Sequence, residues 1–439
     1  MSGNGKEQYL EAFMGTLKSI IGKMLPRNLK QWLSIKYRSV KYRKIINNTY
    51  SHYNDVEKII SKRGDIPLRV ASYVVFDASF GASDLFDLML ADTKKYSSKI
   101  VVIPDISRGK KHQIEQYNKT KNFFKGKYGE DFVIDGWNQE TDEYYDLSNQ
   151  FDIVYLANPY DAMVHEYHGV EFLSQKNVLP IYISYGCMPD NYGCKMIMPH
   201  LEISLFWKVF ADNEMSYNDY KKYELAKGKN VVLSGYAKMD SLIKFKEKKS
   251  ERKRIIIAPH HTVNYPEFPL SNFREYCDYF LELPDLFPQV QFIFRPHPLL
   301  FTNMVNAGFW TNEQVDEYIS AIKSNGMIYS TDGDYLDIFV NSDAMIHDCS
   351  SFVVEYLYTG KPCCFMAKKN YKKIFSKLGK SCLKNYYMAF NMQQITNFIQ
   401  DVIIAGDDGL KSKRENYAKE HLAINYPNVS KKILSEISL

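Results

Sequence analysis

Short apolar runs that end in glycine, proline or polar residues recur along the chain, separated by stretches with helical spacing. "VASYVVFDA" (Val70–Ala78) has the unbroken apolar character of a strand buried on both faces, and "SFGASDLFDLMLADTKKY" supplies a loop and a helix start. "KIVVIPD", "FDIVYLANP" and "VLPIYISYG" repeat the strand signal. Alternation of this kind implies βαβ units and a parallel sheet. From Val231, "VVLSGYAKMDSLIKFKEKKSERKR" breaks the rhythm, and its charged second half reads as an interdomain linker. "RIIIAPHH" restarts the alternation, followed by "QVQFIFRPHP", "GMIYSTD", "DAMIHD" and "KPCCFM". "NMQQITNFIQDVIIAG" and the last residues read as closing helices. The pattern predicts an α/β protein of two successive blocks. One domain spans 61–236, a linker 237–252, a second domain 253–400 and terminal helices 401–439, behind an N-terminal segment over 1–60.

A chain of 439 residues exceeds one ordinary core, which agrees with two domains. Its 45% apolar and 24% charged content is that of a globular protein. Seven cysteines without a Cys-x-x-Cys or Cys/His cluster point to a reducing compartment and away from structural zinc. The N-terminus lacks the apolar core of a signal peptide, and no run of about 18 apolar residues predicts a spanning helix.

Charge changes the picture at one end only. Residues 1–60 hold eleven Lys/Arg and four Asp/Glu, a balance of +7, so the rest of the +5 chain carries −2. That distribution argues against a nucleic-acid enzyme with a basic groove. Between Phe13 and Tyr50 there is no acidic residue, and Leu17, Ile20, Ile21 and Met24 follow helical spacing, with Trp32 and Tyr37 beyond. A basic amphipathic helical segment over 13–50 suits an anionic membrane surface. The plainer reading is a helix packed on the body with a solvated basic face.

The chemistry concentrates at strand ends. In "AMIHDCSSFVVEYLYTG" a strand meets a helix, with Ser350 or Ser351 at the N-cap and Gly360 just past its end. Ligands in open α/β sheets collect beyond the carboxyl ends of strands, where helix-start N–H groups carry partial positive charge. Asp348–Ser351 therefore reads as a phosphate cradle. "FIFRPHP" sets Arg295 and His297 after another strand, stiffened by Pro296 and Pro298, an arrangement that suits an anion. "IIIAPHHTVN" places His260 and His261 at a third strand end, and "LSGYAKMD" places Gly235 and Asp240 near the domain junction. His165 and His168 lie three apart, but no histidine pair combines with carboxylates at helical spacing, so no catalytic metal is expected.

Taken in order, these residues resemble the CDP-glycerol glycerophosphotransferase family, enzymes related to teichoic-acid polymerases and primases. The family's Gly-Tyr-Pro-Arg-x-Asp segment appears as Gly235-Tyr236-Ala237-Lys238-Met239-Asp240, and its Arg-Pro-His-Pro loop as Arg295–Pro298. Its Ser-Asp-x-x-x-x-Asp-x-Ser-Ser-x-x-x-Asp/Glu pattern appears as Ser342, Asp343, Asp348, Ser350, Ser351 and Glu355, followed by Lys361-Pro362. The resemblance covers roughly 151–365. It implies a GT-B-like fold, two Rossmann-like domains facing a cleft, and transfer of a polyol phosphate from a CDP-activated donor to a polymer or lipid-linked acceptor, with release of CMP. It implies no cofactor beyond that donor substrate. Arg295, His260, Asp348, Ser350, Ser351, Glu355 and Gly235 would then serve donor binding, and His297 would act at the diphosphate. The enzyme would work in the cytoplasm, peripheral on the inner face of the cell membrane.

Two departures bear on mechanism. Where the family commonly has Trp-His-Gly, this chain has Ser184-Tyr185-Gly186, and a tyrosine with a pKa near 10 is a poor base at neutral pH. The family's Pro-Thr-x-Arg segment is replaced by Pro259-His260-His261-Thr262. His261, His165, His168 and Asp77 are the remaining candidates for the base. The missing histidine also leaves room for a nucleotide-sugar glycosyltransferase of capsule or lipopolysaccharide synthesis on the same fold, or for a binding protein without catalysis.

Overall fold

The computed structural model describes residues 26–331 and 335–439. Two compact units form. The first takes the residues up to Tyr185, Gly193–Leu233 and Ile433–Leu439. The second takes Gly186–Tyr192 and Ser234–Lys432.

The first unit is built on β1 (Leu68–Val74), β2 (Tyr96–Val102), β3 (Val133–Asp135), a small antiparallel pair β4 (Trp137–Asn138) and β5 (Glu143–Tyr144), β6 (Ile153–Leu156), β7 (Leu179–Ile183), β8 (Lys208–Ala211) and β9 (Val231–Leu233). Seven of these make one parallel sheet in the order β3-β2-β1-β6-β7-β8-β9. β6 and β7 are buried at every position, as strands covered on both faces must be. The segment from Val231, read from the sequence as a break, opens with β9. It continues as a 3-10 turn at Ala237–Lys244 before the charged stretch.

The second unit repeats the plan with β10 (Lys253–Ala258), β11 (Val290–Phe294), β12 (Ile328–Tyr329), β13 (Ala344–His347), β14 (Cys363–Met366) and β15 (Tyr387–Ala389). All are parallel, in the order β12-β11-β10-β13-β14-β15. This is the doubly wound dinucleotide-fold order, in which the chain starts at the centre and reverses direction once. Ile255, Ile257, Phe292 and Phe294 of the sheet pack with Phe273, Phe280 and Leu283 of the helix Phe273–Leu286, forming the main core of the unit.

At the front end, the apolar stripe at Leu17–Met24 lies outside the described residues. Two helices follow, Arg27–Lys41 and Arg43–Ser61. The second behaves as the plainer reading predicted. It buries Ile46, Tyr53, Val56 and Ile60 on the first unit, and its Tyr50 hydroxyl donates to the Ser204 carbonyl (3.0 Å). The first helix instead keeps Leu29, Trp32 and Val40 exposed, with the Lys36 ammonium 4.2 Å from the centre of the Trp32 ring.

Candidate active site

Within the second unit, β11, β10 and β13 are adjacent and parallel, so the segments that follow them leave the sheet at the same end. β10 and β13 are also the pair at which strand order reverses, the switch point where such sheets hold ligands. Hydrogen bonds join the three exits. His297 N–H donates to the Pro259 carbonyl (3.0 Å), the Cys349 thiol to the Ala258 carbonyl (3.3 Å), and His260 N–H to Asp348 Oδ1 (2.6 Å).

Three imidazoles gather there. The ring centres of His261 and His297 are 4.1 Å apart, those of His260 and His261 4.3 Å, and those of His260 and His297 5.3 Å. Burial lowers the proton affinity of all three. His297 falls to about 3, with His261 adding to the effect, and His261 to about 4. His260 is pushed well below its ordinary value, again chiefly by burial. At neutral pH the cluster is uncharged, so what it can offer an anion is N–H donation rather than charge.

Several residues expected to touch a donor are occupied by the fold. Asp348 is fully buried and accepts from His260 N–H at Oδ1, and from Asn272 N–H (2.6 Å) and Asn272 Nδ2 (3.1 Å) at Oδ2. Burial pushes its carboxyl up to about 7. Its role is to fasten the β10 exit loop and the start of helix Phe273–Leu286 to β13. Glu355 is equally sealed, with its two oxygens accepting from the Tyr236 and Tyr335 hydroxyls. Gly235 has φ +95°, and a Cβ there would lie 2.1 Å from the Ile424 carbonyl oxygen, so its glycine is a packing requirement. Asp240, in the same matched segment, accepts from the Val429 (3.1 Å) and Ser430 (2.7 Å) N–H groups at the start of the last helix.

Arg295 is also buried. Its Nη1 donates to Ser330 Oγ (2.9 Å), and its guanidinium carbon lies 5.1 Å from the centre of the Tyr335 ring. Its charge acts on the neighbouring Tyr335 and Cys349. Ser350 Oγ donates to Asp190 Oδ2 (2.7 Å), and Asp190 Oδ1 accepts from Tyr192 N–H (2.9 Å), so this hydroxyl directs its proton at a carboxylate. Ser351 holds the N-cap position without a side-chain cap bond. The helix expected after it is one α turn, Phe352–Glu355, followed by a 3-10 turn, Tyr356–Thr359, and ended by Gly360 at φ +69°. So short an element carries only a small dipole, less than a full helix start would supply.

The other base candidates belong to the first unit. Asp77 sits in the turn after β1, 3.7 Å from Lys119 Nζ. His165 stacks on Tyr144 with ring centres 4.1 Å apart, and its Nδ1 accepts from Tyr167 N–H (3.4 Å). His168 is fully buried, its Nε2 bonded to the Tyr145 carbonyl (3.2 Å) and its pKa pushed by burial to about 4. A ring so enclosed cannot meet an acceptor substrate. The residues missed from sequence are those that aim the others: Thr262, Asn272, Asn303, Asp190 and Tyr335. They are single polar side chains in loops or at element ends, without a periodic or spaced signal.

Comparison with known proteins agrees with this layout. Residues 207–376 match the family model described as CDP-Glycerol:Poly(glycerophosphate) glycerophosphotransferase. No curated protein sequence matches the chain. Among solved structures, the wall teichoic acid polymerase TagF aligns over 94% of this chain and 98% of its own, at 13% identity and a TM-score of 0.58. The UDP-GlcNAc 2-epimerase from Neisseria meningitidis aligns over 85% and 99%, at 14% identity and 0.52. The epimerase from Methanocaldococcus jannaschii aligns over 85% and 99%, at 11% identity and 0.54. These likenesses give the fold, which is GT-B. The match over residues 207–376 marks the chain as a CDP-glycerol glycerophosphotransferase-like enzyme.

Proposed function

We propose that the enzyme transfers glycerol phosphate from CDP-glycerol to a hydroxyl of a cell-surface polymer or of its lipid-linked primer. The acceptor oxygen attacks the β-phosphorus, the bond from that phosphorus to the bridging oxygen breaks, and CMP leaves with the electron pair. The acceptor's proton passes to a base. The observation that carries this reading is the convergence of the Arg295–Pro298 loop and the Asp348–Ser351 knot at the same end of β11 and β13, the two strands that flank β10, inside the family-matched segment. A TagF variant soaked with CDPG supports a donor of that class.

In this reading His297, His260 and His261 donate to the diphosphate, Ser351 adds a hydroxyl, and Arg295 adds positive charge. Preorganised donors aimed at charge that develops on a leaving group are the largest lever such a site has. His261 is a weak base, because its Nδ1 is already engaged by Asn303 and its proton affinity is low. His165 and Asp77 remain the candidates for the base. The presence of Tyr185 where the family commonly has histidine favours one second reading, a nucleotide-sugar transferase. Incubation with CDP-glycerol, CDP-ribitol and UDP-sugars separates the two. CMP release from a CDP-polyol supports the first, and UDP release alone supports the second.

We place the enzyme in the cytoplasm, peripheral on the inner face of the membrane and held there through residues 13–50. The acid-free sequence and the exposed Leu29 and Trp32 support this. Among the described residues, no helix is long and apolar enough to cross a membrane. Sedimentation with vesicles rich in phosphatidylglycerol tests the assignment. Binding should fall at least tenfold when Lys30, Lys36 and Lys41 are changed to Glu, and unchanged binding would refute it.

A further inference from the structure

The His260–His261–His297 cluster has the size of a three-histidine metal site, since one ring nitrogen from each lies within 4.8 Å of the other two. Its hydrogen bonds point to the opposite kind of ligand. Metal-bound histidines donate their second N–H to an acceptor, which leaves the lone pair of the first nitrogen for the metal. Here the second nitrogen accepts instead. At His297, Leu299 N–H donates to Nδ1 (3.1 Å). At His261, Asn303 Nδ2 lies 3.0 Å from Nδ1, and its bond to the His261 carbonyl (3.0 Å) fixes the amide with its NH2 toward the ring. At His260, Nδ1 faces Thr262 Oγ1 (3.0 Å), which already receives the Leu270 (3.2 Å) and Ser271 (3.3 Å) N–H groups. With both of its lone pairs taken, that hydroxyl has only its proton left for the ring.

In each ring the Nδ1 lone pair is therefore spent and the proton sits on Nε2. Burial keeps the rings neutral near pH 7. None of the three Nε2 atoms is among the sealed and unpartnered polar atoms of the described residues, whereas Nε2 of the neighbouring His347 is. Three N–H donors with reach to the outside and no spare lone pair suit an oxyanion and disfavour a cation.

We infer that His260, His261 and His297 form one metal-free oxyanion site that grips a phosphoryl group through three neutral imidazole N–H donors. His260 and His261 fall inside the segment where the family pattern has Pro-Thr-x-Arg, with Thr262 at the arginine position, so this chain would offer a pair of tautomer-locked rings in a segment that lacks the family's guanidinium. The identity of the anion as a donor diphosphate rests on the function proposed above. The donor character of the site does not.

The test reverses one hydrogen bond. In Asn303→Asp, the new carboxylate accepts from His261 Nδ1 and moves the lone pair to Nε2. The full-length protein and this variant are titrated with inorganic pyrophosphate, read by melting temperature, and with Co²⁺, read by visible absorption. His261→Ala and Asn303→Ala serve as controls. The expected result is pyrophosphate binding by the parent without Co²⁺ bands, and at least tenfold weaker pyrophosphate binding in His261→Ala and in Asn303→Asp, where Nε2 of His261 presents a lone pair instead of a proton. Co²⁺ bands in the parent that vanish in His261→Ala, or pyrophosphate affinity unmoved in that variant, would overturn the inference. Turnover of CDP-glycerol by the parent is scored separately. Turnover with pyrophosphate affinity unmoved in His261→Ala sinks the site and spares the function. Pyrophosphate binding without turnover of any CDP-polyol sinks the function and spares the site.

Discussion

At His297 the ring combines a backbone-locked Nδ1, a lowered pKa and a position at the mouth of the sheet. Replacing it by alanine should reduce CMP release by about 10²–10³, the usual loss for one donor to developing negative charge. Melting temperature should move little in comparison, and a loss of activity that merely tracks unfolding would contradict the assignment. Gly235→Ala should do the reverse. A methyl group 2.1 Å from a carbonyl oxygen, at φ +95°, forces backbone movement, so we expect a loss of about 3 kcal/mol or more in urea unfolding. Both residues were legible in the sequence as pieces of a motif, but the packing role of Gly235 was not. A motif does not say whether a side chain faces the ligand or the fold. Asp348, Glu355 and Gly235 prove to face the fold, and only the hydrogen-bond partners reveal it.

The loops after β10 and β13 act as one element because Asp348 ties them, together with the start of helix Phe273–Leu286. Asp348→Asn keeps one acceptor oxygen and turns an NH2 toward groups that are themselves donors, His260 N–H or Asn272. The expected cost is about 1–3 kcal/mol in urea unfolding, the range for a buried donor left unsatisfied. A stability equal to the parent's would show that the tie is dispensable. Strands such as β6, β7, β10 and β11 could be read from sequence because burial on both faces forces a continuous apolar run. β3, β8, β9 and β15 were not singled out. The "SSFVVEYLYTG" segment shows the opposite error. Its apolar spacing suits a full helix, yet the chain tightens into a 3-10 turn after Glu355.

Across the whole molecule, burial lowers His168, His260, His261, His297 and His347 in the folded state. An unfolded chain protonates the same rings near pH 6.5 and so binds more protons below that pH. The stability these rings contribute is complete above about pH 6.5 and is lost as pH falls toward about 4. Asp348 works against them, since its raised carboxyl favours the folded state at low pH and loses that advantage as pH rises toward about 7. Asp161 and Glu224 are raised as well, and His165 is lowered, so six rings stand against three carboxyls; melting temperature should drop from pH 6.5 to 4.5, and a flat profile would contradict the burial of these rings. Two successive α/β units were legible from strand–helix alternation, and the GT-B plan from the family resemblance, whereas the return of Ile433–Leu439 to the first unit was not, because no local pattern encodes it. The most direct test of the account as a whole is CMP release by the purified full-length protein from CDP-glycerol in the presence of a glycerol-phosphate primer. The account predicts stoichiometric CMP and primer elongation, both slowed by about 10²–10³ in His297→Ala. Full activity in that variant, or no CMP from CDP-glycerol while a UDP-sugar is consumed, would contradict it.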